Sequence, residues 1–152
     1  MSVDEHRSNG MPVGDVTVVG RQRKRLGPAV RRELPTVEMD HAVRCASGER
    51  TTGRWRGVAV ALLLSMVDAP DETTHLFVEG RDGYRVGVEL RRALGGLLAD
   101  ERDGAVLAAT GPRFVAPGID GEQAVSDVVR VETAALAPGE SPVDREVRDP
   151  DD

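Results

Sequence analysis

Cys45 is the single cysteine of a 152-residue chain, and it stands in "DHAVRCASGERTTGRWRG". Arg44, Arg50, Arg54 and Arg56 all lie within a dozen residues of it. Cationic neighbours favour the thiolate, the form that attacks electrophiles and ligates soft metals. The same arginines, Arg44 and Arg50 above all, could hold a phosphate together with the backbone amides of Ser47 and Gly48. A lone cysteine can also be a small buried hydrophobe. Its place at the end of a strand-like stretch and the start of a loop weighs toward binding. A Cys–His hydrolase fits poorly. His41 lies four residues before Cys45 on the same strand pattern, roughly 13 Å away at ~3.3 Å per residue. His75 begins a different strand. Without a cluster of protein ligands, the best fit is one thiolate completing a metal whose other ligands come from a cofactor.

Composition bounds the rest. The length suits one domain. Hydrophobic residues make up 39% of the chain and aromatic residues 3%, so the core must be built from Val, Leu and Ala. A net charge of −6 speaks against a general nucleic-acid surface. One cysteine excludes an internal disulfide, an iron–sulfur cluster and a Cys-based zinc site. The N-terminus has no apolar h-region, and no apolar run nears the ~20 residues of a membrane span. A soluble cytoplasmic protein is the expectation.

The elements that must position the thiol alternate in type. "DVTVVG" (15–20) predicts a strand, and "GPAVRREL" (27–34) a short helix with Pro28 in its first turn. In "TVEMDHAVRC" (36–45), Val37, Met39, Val43 and Cys45 share one face with His41, which predicts a half-buried strand. A Gly/Thr/Arg loop should follow, with "WRG" orienting it and starting a buried helix over 58–67; Trp55 is expected to be a packing anchor. "THLFVEG" and "YRVGVE" flank the turn signal "RDG" and predict a hairpin. "ELRRALGGLLA" (89–99) places Leu90, Ala93, Leu94, Leu97 and Leu98 on one helical face, weakened by Gly95 and Gly96. "GAVLAA", "RFVAP" and "VSDVVRVETA" complete the strands. The fold class is α+β, a single domain with mixed, mainly antiparallel sheets and short surrounding helices. Residues 1–14 are expected to be disordered, 15–136 to form the domain, and the acidic, proline-rich 137–152 to be a disordered tail.

The order of these pieces resembles the molybdopterin-binding domain of sulfite oxidase-like oxidoreductases. The resemblance runs from about residue 15 to 135 through "VTVVG", "LPTVEMDHAVRCASG", "GRWRGVAVALLL", "HLFVEGRDGYRVGVEL", "RALGGLLA", "GPRFVAPGIDG" and "AVSDVVRVE". It implies a molybdenum–molybdopterin cofactor, two-electron oxygen-atom transfer, and Cys45 as the permanent metal ligand and catalytic residue. It further implies that Arg113 of "GPRFVAP" approaches the pterin phosphate and that Ala124, Val125 and Ser126 hold the cofactor through their backbone. A small substrate follows, an oxyanion or a sulfoxide, together with a separate electron-transfer partner, since the chain shows no heme motif or cluster ligands. Three features depart from the family. Glu49 stands where asparagine is common, Pro112 abuts Arg113, and Gln123 and Ser126 replace basic residues. From the residues alone two other readings stay open: a cofactor-free binding module of the same fold, and a Cys45 thiol sensor.

Overall fold

The computed structural model describes residues 14–44, 50–107 and 111–148. Ten strands and three short helices follow in the order β1 (Val16–Val19), β2 (Arg23–Leu26), α1 (Pro28–Glu33), β3 (Val37–Arg44), β4 (Arg50–Ala59), α2 (Val60–Met66), β5 (His75–Gly80), β6 (Arg85–Glu89), α3 (Leu90–Ala93), β7 (Leu97–Arg102), β8 (Ala105–Val106), β9 (Arg113–Val115) and β10 (Val128–Ala134). One sheet has the order β2-β1-β10-β5-β6. Its β1–β10 pair is parallel and its other pairs are antiparallel. The second sheet runs β3-β4-β7, and β9 and β8 share the far side of β7. The architecture is the expected α+β one, with mixed, mainly antiparallel sheets.

The core is aliphatic, as the composition requires. Val16 and Val18 alternate inward from β1, and Leu63 and Leu64 point in from α2. They meet Leu76, Val78, Val86, Val88, Leu98 and Val131 in one cluster. A smaller cluster gathers Trp55, Leu97, Ala99, Val115 and Ala124, with Met39 at its margin. Trp55 is 1% exposed, so it packs as expected.

Arg31 is also buried, 1% exposed, although it sits on α1. Its Nε and Nη2 donate to the two carboxylate oxygens of Asp100 on β7, at 3.0 and 2.7 Å. Its Nη1 donates to the carbonyls of Gly14 and Leu26. A buried guanidinium is tolerated because these bonds satisfy it. The group bolts α1 and the start of β1 to the second sheet.

Two expectations need correction. The helix drawn over 89–99 ends at Ala93, and Leu97–Arg102 is strand β7. Gly95 and Gly96 make the break, and a Cβ at Gly96 would lie 2.5 Å from the Val115 carbonyl. Leu97, Leu98 and Ala99 are all buried because β7 has neighbours on both faces and both edges. A helix turn and a doubly buried strand had together imitated a 3.6-residue period. Second, the expected Gly/Thr/Arg loop is largely β4, ten residues long and paired with β3 from Gly57 back to Arg50. Its polarity reflects exposure of the hairpin, not irregular backbone. Residues 137–148 are among the described ones. Pro142–Arg145 form a 3-10 turn, Val147 bridges Arg85 on the edge of β6, and Glu146 accepts from the Gly87 amide at 2.7 Å. β2 was not anticipated: "RKRL" has three basic residues in succession and no apolar alternation, yet it pairs with β1 over four residues. The expected N-terminal segment lies outside the described residues up to position 13.

Candidate functional site

β9 and the segment after it build one cleft. The Phe114 amide donates to the Val125 carbonyl, and the Val128 amide to the Pro112 carbonyl, both at 2.9 Å. These two bonds fold 124–128 back along β9. Arg113 Nε then reaches the Ala124 carbonyl at 3.0 Å. The guanidinium also lies 5.9 Å from the centroid of the Trp55 ring, within cation–π range. Arg113, Ala124, Val125 and Ser126 thus share a cleft of about 440 Å³. That volume falls within the ordinary range for small-molecule sites.

The rest of the wall was not foreseen from sequence. The β5–β6 turn contributes Asp82 and Tyr84, and the 120–123 turn contributes Gly121 and Glu122. The Tyr84 hydroxyl donates to the Glu122 carbonyl at 2.8 Å. Burial raises its phenol pKa above the usual value, the Arg148 charge opposes that shift, and Glu122 adds to it. Arg148 enters the cleft from the C-terminal segment, held by Glu146 at 3.0 Å and by Glu122. The bond to Glu146 raises its pKa above the ordinary guanidinium value. The cleft therefore carries two guanidiniums and two carboxylates, Asp82 and Glu122, with Glu146 behind Arg148. The turn "RDG" was legible, but nothing in "EVRDPDD" signals that Arg148 returns to the fold.

Of the other expected site residues, Cys45, Ser47 and Gly48 lie outside the described residues. Arg44 and Arg50 are backbone partners at the end of the β3–β4 ladder. That ladder outruns its sheet, because the last β4–β7 pair is Trp55 with Arg102. Arg113 pairs with Ala99, and Ala99 with Gly57. Arg50 is seven residues from Gly57 along β4, roughly 23 Å at ~3.3 Å per residue. Gln123 turns away from the cleft, its amide donating to the Gly87 carbonyl at 3.1 Å and accepting from the Asp120 amide. His75 bonds Thr74 at 2.9 Å and does not line the cleft. Among the described residues, no group of three or more His, Cys, Asp or Glu could hold a metal, and no helix is long and apolar enough to cross a membrane.

A molybdopterin group can be tested against these residues at its anionic end. Two guanidinium forks facing one cleft suit a phosphate. The donor types fit, although Asp82 and Glu122 offset the cleft's positive charge.

The fold defines a class before it defines a relative: one mixed and one antiparallel sheet around an aliphatic core, with a cleft beside the last strands. No family model and no curated protein matches the chain. Among solved structures, the sulfane dehydrogenase SoxCD from Paracoccus pantotrophus shares this fold with a TM-score of 0.75 at 16% identity. The match covers 86% of this chain and 41% of that one, so the chain spans well under half of the protein it resembles.

Proposed function

We propose that this chain is a molybdopterin-binding oxidoreductase domain. The observation that carries the reading is the convergence of Arg113 with the backbone of 124–126 around one cleft, as the sulfite oxidase-like resemblance implies. In this reading Arg113 and Arg148 hold the phosphate end and the backbone of 124–126 supports the pterin. The Cys45 thiolate is the permanent metal ligand. When bound, the group supplies two-electron oxygen-atom transfer. The cleft's arginines favour a small oxyanion or sulfoxide substrate, and electrons leave to a separate partner. The test is the molybdenum and pterin content of protein from a molybdenum-replete host, with Cys45→Ser prepared beside it.

A second reading has its own support. Arg148 is already engaged by two carboxylates, and Asp82 adds a third negative charge. A cofactor-free binding module of the same fold would look like this. It predicts negligible metal and pterin in both proteins.

A further inference from the structure

The chain after β10 returns to the cleft as a strap. None of residues 137–148 is buried, so apolar packing contributes little to its hold. The hold is polar and local to β6. The Arg85 amide donates to the Val147 carbonyl at 2.7 Å, and the Val147 amide to the Arg85 carbonyl at 2.8 Å. Arg85 Nε donates to the Arg145 carbonyl at 3.2 Å. A Cβ at Gly87 would stand 2.8 Å from Pro142 Cβ, so a glycine lets the strap lie this close. The Glu146 side chain is 5% exposed. Its Oε2 accepts from the Gly87 amide at 2.7 Å, and its Oε1 from Arg148 Nε at 3.0 Å. One carboxylate thus joins the β6 backbone to the guanidinium that enters the cleft.

A segment held by a few exposed bonds opens locally at far lower free energy than the core. The cleft's two guanidiniums therefore differ in kind. Arg113 belongs to β9, within a sheet, whereas Arg148 is carried by the strap. Half of the positive wall is built in and half is removable. We propose that residues 142–148 are a clasp: docking of the strap on β6 and binding of a phosphate-class anion in the cleft are coupled through Arg148. The inference rests on the reading of the cleft as a site for the phosphate end of a ligand. Glu122 neutralises Arg148 from the cleft wall and keeps the docked strap in place. An anion held by both Arg113 and Arg148 gains a contact that exists only while the strap is docked. Such coupling is reciprocal. The factor by which the docked strap tightens the anion is the factor by which the anion tightens the strap.

Inorganic phosphate is the probe. It is titrated into isotope-labelled full chain from a host that makes no molybdopterin, followed by amide NMR, with chloride at equal ionic strength as the control. Arg148→Gln should weaken phosphate binding about tenfold, through loss of one charge-assisted contact. Val147→Pro removes one backbone donor of the strap and alters no cleft residue. It suits the extended backbone of Glu146 before it, at φ −88° and ψ 153°. It should weaken binding by the same factor, and Val147→Ala should not. Val147→Pro combined with Arg148→Gln should bind no more weakly than Arg148→Gln alone, because the strap acts only through Arg148. Hydrogen exchange in the wild type gives the reciprocal arm. The Arg85 and Gly87 amides point to the strap, and alternation turns those of Val86 and Val88 to β5. The first two should exchange together and faster than the second two. Saturating phosphate should slow them about tenfold, and Arg148→Gln should abolish that slowing. Three results would each overturn the clasp while leaving the cleft an anion site: unchanged binding in Val147→Pro, a double variant weaker than Arg148→Gln, or Arg85 and Gly87 exchange indifferent to phosphate. Absence of phosphate binding in the wild type would overturn the clasp and the anion site together.

Discussion

Arg31 shows how much one residue can hold in place. Its guanidinium joins α1, the chain before β1 and β7 through four hydrogen bonds, and the Asp100 carboxylate is itself only a quarter exposed. Asp100→Ala should cost about 3 kcal/mol, because it leaves a buried charge with two carbonyls in place of a carboxylate. Denaturant unfolding would measure it, and a change below about 1 kcal/mol would show that the pair is dispensable. In the cleft, positions 123 and 126 are not equivalent. Ser126 lines it, whereas the Gln123 side chain is spent on Gly87 and Asp120. Ser126→Lys should therefore raise pterin content, a charge-assisted contact contributing on the order of 1.5–3 kcal/mol. Gln123→Lys should not, since it breaks two local bonds first. Pterin analysis of both variants checks this. Arg113 was legible from sequence because it sits in a recognisable string. Arg148 was not, because its setting depends on a bridge made 62 residues away, between Arg85 and Val147.

At the scale of elements, the β4–β7 contact turns on Gly57. A Cβ there would lie 1.9 Å from the Leu98 carbonyl, at the bulge between Arg56 and Gly57. Gly57→Ala should thus cost about 3 kcal/mol, at the upper end of overpacking penalties. Unfolding curves of this variant against Arg56→Ala would separate crowding from loss of an exposed side chain. The "WRG" string announces this residue without saying why it is needed. Strands with clean alternation, such as β1, were readable because one face is buried and one half-exposed. β7 was not, because a strand buried on both faces loses its period, and Leu90–Ala93 just before it is helical. The C-terminal 3-10 turn is tied by Glu140, which accepts from the Ala137 amide and from Arg145. The backbone bond first, and Arg145 second, hold its carboxyl below the ordinary Glu pKa. A depressed folded-state pKa means the contribution is present above the unfolded value and is lost as pH falls through the folded one. Exchange of the Ala137 amide should accelerate across that acid window in the wild type. In Glu140→Gln it should be insensitive to pH there once intrinsic exchange is divided out.

At the scale of the whole molecule, two sheets share one aliphatic core, and the first and last strands, β1 and β10, pair in parallel. The α+β class followed from interleaved strand and helix patterns with a hairpin among them. Pairing order could not follow from the same patterns, because it depends on contacts more than 100 residues apart. The fold is shared with a much longer oxidoreductase at low identity, which fixes architecture and leaves chemistry to the site. The central claim is that this site holds molybdenum through Cys45. The direct measurement is molybdenum and pterin per chain in wild type and Cys45→Ser, purified side by side from a molybdenum-replete host. The account predicts close to one molybdenum per wild-type chain. It predicts loss of most of that metal in the serine variant, whose hydroxyl is a harder ligand, with part of the pterin kept by Arg113 and the backbone of 124–126. Equal, negligible molybdenum in both proteins would contradict it.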